Sequence, residues 1–222
     1  MEATRRPRVK VCCIRDVDEA WTAVRLGASA LGLVSEMPSG PGVIDEAMIA
    51  EVARAAPPGV ATFLLTSRQD AAAIVAQQRR LRTSTLQIVD RLRSGSYDEL
   101  RGALPGIGLV QVVHVTGPES VDEAASIAPH VDAILLDSGN PALAVKELGG
   151  TGRRHDWAVS RLIRETVAVP VYLAGGLGPD NVAEAIGAVG PFGLDLCTGA
   201  RTGGRLDATK LQRFMAAVAA AA

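Results

Sequence analysis

VDAILLDSGN (residues 131–140), VPVYLAGGLGPDNV (169–182) and FGLDLCTGAR (192–201) share one cadence. Each is a short apolar strand followed by a turn of small polar residues that leads toward a helix start. The first turn continues through GGTGRRHDW (149–157). Strands alternating with helical patterns need crossover connections, and therefore a parallel sheet. These strands are apolar without interruption, as strands buried on both faces are.

The same unit recurs upstream. VKVCCI (9–14) is an apolar run, after which Asp16 and Glu19 read as a capping box opening a helix with Val17, Trp21 and Val24 on one face. ALGLVS (30–35), the loop EMPSGPGV (36–43) and a helix from about Asp45 form the second unit. VATFLLT (60–66) with Asp70–Arg80, TLQIV (85–89) with Tyr97–Leu104, and LVQVVHV (109–115) with a helix opening at Pro118 and Glu119 form the next three. After the sixth strand the helix waits until about Asp156. In the seventh unit Pro179 suits a first helical turn, and Val182, Ala185, Ile186 and Val189 form the apolar stripe. Residues 192–197 and 208–221 complete the eighth. Eight units in 222 residues predict a (β/α)8 barrel, one α/β domain over 1–222 with residues 1–8 as a flexible charged tail.

Composition narrows the function. The net charge is −1, without a long basic or acidic block, so nucleic acid is not an expected partner. No apolar run approaches the roughly 18 residues of a membrane span, and MEATRRPR lacks the apolar core of a signal peptide. Cys12, Cys13 and Cys197 are odd in number and two are adjacent, which argues against a disulfide framework and for a reduced, cytoplasmic protein. His114, His130 and His155 are scattered without zinc spacing, so no metal is expected. The fold is compatible with a monomer or a homodimer.

A barrel of this kind works at the C-terminal ends of its strands. Reading those ends in order, two reactive groups stand out: Cys12 or Cys13 after the first strand and Asp137 after the sixth. Strand alternation predicts that Cys12 and Cys13 do not both point inward, and that Lys10 shares the face of Cys12. At the seventh and eighth ends, Gly175, Gly176, Thr198 and Gly199 offer backbone N–H groups close to a helix start, a pattern that suits a phosphate.

These residues resemble the phosphoribosylanthranilate isomerase family of tryptophan biosynthesis. The family opens with K-x-C-G-[IL], here Lys10-Val11-Cys12-Cys13-Ile14. Its L-L-D-[ST] and G-G-[ST]-G-x-x-F-D-W are met by Leu135-Leu136-Asp137-Ser138 and by Gly149 to Trp157. Its L-[AS]-G-G-L-x-P-[DE]-N-V is met by Leu173 to Val182, and its D-[VL]-[SC]-[ST]-G by Asp195 to Gly199. The match is dense after residue 131 and patchy before it.

The resemblance implies a cofactor-free Amadori rearrangement of a phosphorylated sugar, N-(5-phosphoribosyl)anthranilate, with Asp137 as acid and Cys12 as base. Lys10, Arg15, Gly150 and Asp195 are the candidate substrate-binding residues. A thiol titrates near 8.5, so Cys12 needs a helper, for which Lys10 is the candidate.

Several positions depart from the family. Cys13 replaces the motif glycine, and His155 replaces a phenylalanine. Pro38 to Val43 carries no cation where the family has an arginine for the anthranilate end. Val89–Asp90 replaces H-G, Gln111 replaces a lysine, and Arg201 stands where an acidic residue is common. Arg15, Arg153 and Arg154 are the candidate replacement cations. The alternative reading is a diverged relative that binds another phosphorylated sugar or anion, with altered or no catalysis. A ribulose-phosphate or thiamin-phosphate type barrel shares the phosphate corner but not the K-x-C and G-G-T-G combination.

Overall fold

Eight short apolar runs form β1 (Arg8–Val11), β2 (Ala30–Val34), β3 (Ala61–Thr66), β4 (Thr85–Ile88), β5 (Gly108–His114), β6 (Ala133–Asp137), β7 (Val171–Leu173) and β8 (Gly193–Leu196). The computed structural model describes residues 6–139, 143, 145, 146, 148 and 152–221. All eight strands are parallel and pair in chain order, and β1 pairs with β8 to close a (β/α)8 barrel.

The strands alternate with α1 (Val17–Arg25), α2 (Glu46–Ala55), α3 (Ala71–Leu81), α4 (Tyr97–Ala103), α5 (Ser120–Ile127), α6 (Trp157–Thr166), α7 (Val182–Val189) and α8 (Ala208–Ala220). Asp16, Asp45, Asp70, Ser96, Asp156 and Asp207 each accept a backbone N–H in the first turn of the helix they open. Such a cap contributes typically about 1 kcal/mol. Only α5 and α7 start without a capping side chain. Among the described residues no helix is long and apolar enough to cross a membrane.

Two buried layers result. Outward-facing strand residues such as Leu31, Leu33, Leu64, Leu86 and Leu109 pack with the helices. Inward-facing ones form a smaller cluster that includes Ala30, Val34, Phe63, Leu65, Val110, Val112 and Leu135. The interior also holds Lys10, 0% exposed and paired with Asp195 at 2.8 Å, with its ammonium 5.5 Å from the centre of the Phe63 ring.

Three expectations change. The first strand begins at Arg8, inside the stretch read as a tail, and its ladder ends at Val11 rather than Ile14. In α1 the buried face is Glu19, Ala20 and Ala23, while Trp21 is 37% exposed. Small residues win there because helix and sheet pack closely, a choice that counting apolar positions misses. Finally, α7 starts at Val182, so Pro179 lies in the preceding turn and not in the helix.

A hairpin of β9 (Arg201–Thr202) and β10 (Arg205–Leu206) follows β8, and the sequence reading missed it. Glu19 ties it down. Its carboxylate accepts the Leu206 N–H at 3.0 Å and pairs with Arg201 at 3.3 Å.

Candidate active site

At the C-terminal ends of the strands lies a cleft open to solvent. Cys12, Cys13, Asp137, Gly175, Gly176, Asp195, Cys197 and Thr198 line it, so most of the sequence candidates converge. Lys10 lies buried beneath it. Gly199 packs behind Thr198, so closely that a Cβ there would collide with the Leu177 carbonyl oxygen. Gly150 lies outside the described residues. Arg15 does not belong to the cleft; it is exposed, and its guanidinium lies toward Gly204 of the hairpin.

Both Cys12 and Cys13 face the cleft, contrary to the alternation argument. Pairing with β8 persists to the Cys12 N–H, which donates to the Leu196 carbonyl at 2.8 Å. Cys13 then takes φ +64, in the left-handed region, and turns its side chain back toward the cleft. A residue with a Cβ pays about 1–2 kcal/mol for that conformation, which is the physical reason a glycine suits this position.

The chain holds Cys13 there from two sides. Arg201 donates to the carbonyl oxygens of both Cys12, at 3.0 Å, and Cys13. The Cys13 sulfur lies 3.6 Å from the Pro41 carbonyl oxygen. Gly42, at φ +81, leaves the space Cys13 occupies: a Cβ there would collide with the Cys13 Cβ and lie 2.9 Å from its sulfur. The cation-free loop after β2 is therefore fitted to Cys13.

Gly42→Ala is expected to destabilise the protein by about 2–4 kcal/mol, from overpacking together with its positive φ. In a Cys13→Gly background that cost should fall by about 1 kcal/mol or more, because contacting residues are not additive. Chemical denaturation of the four proteins checks this; equal costs in both backgrounds would refute the fit.

The thiols are tuned as a group. Hydrogen bonding from Cys13 is the main influence that draws the Cys12 pKa down, with the Lys10 charge assisting, against burial and Asp195. Cys13 is held well above the usual thiol range by its hydrogen bonds with Cys12 and Cys197 and by burial, so it keeps its proton. Lys10 is thus a secondary helper rather than the principal one. Burial pulls its own pKa down, but Asp195 and the two cysteines more than offset this and keep it charged. Gly32 on β2 makes room for the pair: a Cβ there would lie 2.7 Å from the Cys12 sulfur and 3.0 Å from the Lys10 ammonium nitrogen.

Asp137 ends β6, buried, with Oδ1 accepting the Ser138 N–H at 2.7 Å. Burial raises its pKa, opposed by the Ser138 hydrogen bond and by His114, its register partner on β5. It is suited to hold and deliver a proton. Asp195 is the contrasting carboxylate. Lys10 binds its Oδ2, while the buried Oδ1 has no partner among the described residues.

The glycine corner is built by backbone contact. Gly175 and Gly176 adopt φ +84 and +64. Cβ atoms on them would lie 2.9 Å from His155 Nδ1 and 2.8 Å from the Gly152 carbonyl, so the turn packs directly on residues 152–155. His155, the replacement for phenylalanine, bonds Ser160 Oγ at 2.8 Å through Nε2, and burial draws its pKa down to about 4, so it is neutral. Asn181 braces the turn instead of capping α7. Its Nδ2 donates to the Gly176 carbonyl and its Oδ1 accepts the Gly178 N–H, each at 2.9 Å. The Val182 N–H that opens α7 donates to the Gly178 carbonyl at 3.1 Å, which closes this turn onto the helix.

The described residues lining the cleft include no arginine or lysine. Arg154 pairs with Glu184 at 2.8 Å and stacks on Trp157, and Arg153 is exposed. Lys146, which the sequence reading passed over, pairs with Asp90 beside the cleft. Arg201, a departure from the family pattern, binds the Cys12 and Cys13 carbonyls and Glu19. Neither belongs to a local motif that could have revealed its partners.

With this geometry in place, comparison with known proteins is decisive. The model of the N-(5'phosphoribosyl)anthranilate (PRA) isomerase family matches residues 9–217. The chain belongs to that family. It is 35% identical over 210 residues to N-(5'-phosphoribosyl)anthranilate isomerase 2 of Methanosarcina mazei, covering 94% of this chain and 92% of that one. It is 36% identical over 212 residues to the isomerase of Haloferax volcanii, with 95% and 92% covered.

Among solved structures, phosphoribosyl anthranilate isomerase from Thermotoga maritima aligns with a TM-score of 0.80 at 24% identity, over 96% of this chain and 99% of that one. A family structure in complex with reduced 1-(o-carboxyphenylamino)-1-deoxyribulose 5-phosphate aligns with a TM-score of 0.77 at 22% identity, again over 96% and 99%. These likenesses bear on the fold. Another Thermotoga maritima structure is of monomers generated from a dimeric isomerase.

Proposed function

We propose that this chain isomerises N-(5'-phosphoribosyl)anthranilate to its open-chain 1-deoxyribulose 5-phosphate derivative, with Asp137 as acid and Cys12 as base. The observation that carries the reading is the convergence of a proton-holding Asp137, a thiol with lowered pKa and a glycine-lined anion corner on one cleft, in a member of this family.

The 5-phosphate sits on the backbone of Gly175, Gly176 and Thr198, with Gly199 shaping the turn behind. Asp137 protonates the ring oxygen, the C1'–O bond breaks, and a Schiff base to the anthranilate nitrogen forms. The Cys12 thiolate removes the C2' proton and gives an enol. The enol then loses its O–H proton as C1' gains one, which leaves the C2' ketone and restores both groups. Lys10 holds Asp195 through Oδ2, and the free Oδ1 of Asp195 accepts a substrate hydroxyl. No step requires a redox group. Three free cysteines, two of them in the catalytic turn, fit a reducing, cytoplasmic setting.

The absence of a cation among the described residues that line the cleft is the observation that favours a diverged relative. Genetic rescue separates the two readings. The chain is expected to restore growth without tryptophan to a strain lacking the isomerase, and no growth with soluble protein present would favour the relative.

A further inference from the structure

The cleft has two chemically distinct ends. One is the glycine corner after β7 and β8. The other is apolar and lies across the barrel, where Met37 of the loop after β2, Leu65 of β3, Val89 after β4 and Leu148 line the wall. Cys12 after β1 and Asp137 on β6 come between these ends around the ring. A phosphate held at the corner therefore places an N-linked aromatic ring at the apolar end. The ring's ortho carboxylate then needs a cation, because a carboxylate taken from water is held by charged donors.

Lys146 borders that end through three ties. Its carbonyl oxygen accepts Ser39 Oγ–H at 2.6 Å, and Ser39 lines the cleft. Leu148, two residues on, is part of the apolar wall. Its ammonium pairs with Asp90, next to Val89, which lines both the cleft and an adjoining cavity that Lys146 itself lines. Arg154 is committed to Glu184 and Trp157, Arg201 to Glu19 and the cysteine carbonyls, Arg15 lies toward Gly204 of the hairpin, and Arg153 is exposed and does not line the cleft. Asp90 is buried, whereas the Lys146 side chain is 28% exposed and has room to turn.

We propose that Lys146 binds the ring carboxylate of the substrate, replacing the cation missing from the loop after β2, with Asp90 holding its ammonium at the border until the ligand arrives. This assignment rests on the isomerase reading. It makes Lys146 a specificity residue outside the acid–base machinery, supplied by the loop after β6.

The test uses two ligands, reduced 1-(o-carboxyphenylamino)-1-deoxyribulose 5-phosphate and the same compound without its ring carboxylate, titrated against wild type, Lys146→Met and Lys146→Arg. Lys146→Met is expected to weaken the carboxylated ligand by about tenfold or more, the loss of one charge-assisted contact, and the other ligand by less than about twofold. Lys146→Arg should bind the carboxylated ligand within about threefold of wild type. In turnover the Met variant should raise KM by a similar factor and leave kcat within about threefold. Equal losses on both ligands, or no loss on either, would overturn the assignment while wild-type turnover left the isomerase reading intact. A wild type that bound neither ligand and turned over no substrate would overturn both.

Discussion

Asp137→Asn is expected to lower kcat by about 10²–10⁴-fold, the range supplied by a positioned general acid, without loss of stability. The amide keeps the shape of the carboxyl group, and its oxygen still accepts the Ser138 N–H. It has no proton to give to the ring oxygen.

Stability follows from the direction of the pKa shift. The folded state raises the Asp137 pKa, chiefly by burial, so folding favours the protonated form. That preference stabilises the fold fully below the unfolded pKa, near 4, and is lost as pH rises through the folded value. Asparagine is neutral throughout, so the variant should melt no lower than wild type, and its advantage should grow from pH 4 toward pH 8. In wild type, the same sign makes kcat fall as pH rises through the Asp137 pKa. Stopped assays with thermal unfolding across pH check both halves. Near-normal turnover in Asp137→Asn would remove Asp137 from the acid role.

Cys12→Ser is expected to cost kcat a similar factor, about 10²–10⁴-fold, through the other half of the reaction. Serine fits the same space beside Gly32 and Lys10, but its hydroxyl is a far weaker acid than a thiol and has no comparable anionic population near neutrality. The base is helped by Cys13, whose raised pKa keeps it a donor, and by the buried Lys10 charge. Since the Cys12 pKa is lowered, wild-type activity should fall as pH drops through that value. KM should change little, because the phosphate corner and apolar end are untouched. A Cys12→Ser enzyme with wild-type kcat would refute the thiolate role.

The barrel is legible in the sequence because strands buried on both faces read as unbroken apolar runs, and because Asp or Ser stands at six of the eight helix starts. Cys12, Asp137 and the glycine corner are legible because a barrel works at its strand ends. What stayed hidden depends on contacts distant in sequence. Strand alternation misplaced Cys13 because the turn at φ +64 is held by Arg201, 188 residues away, and by the loop at Pro41–Gly42. Lys146 and Asp90 are 56 residues apart, and no spacing announces their meeting. Trp21 had the right period but not the right size for a closely packed helix–sheet interface. The cation-free loop first reads as a loss of function. In the fold it is the surface that accommodates Cys13.

Direct turnover by the purified chain tests the central claim. Incubation with N-(5'-phosphoribosyl)anthranilate should extinguish the substrate's fluorescence as the open-chain 1-deoxyribulose 5-phosphate derivative accumulates, identified by its C2' ketone. Asp137→Asn and Cys12→Ser, folded and at equal concentration, should leave the fluorescence unchanged on the same timescale. Unchanged fluorescence with wild type at high enzyme concentration, or equal rates in all three proteins, would contradict the account.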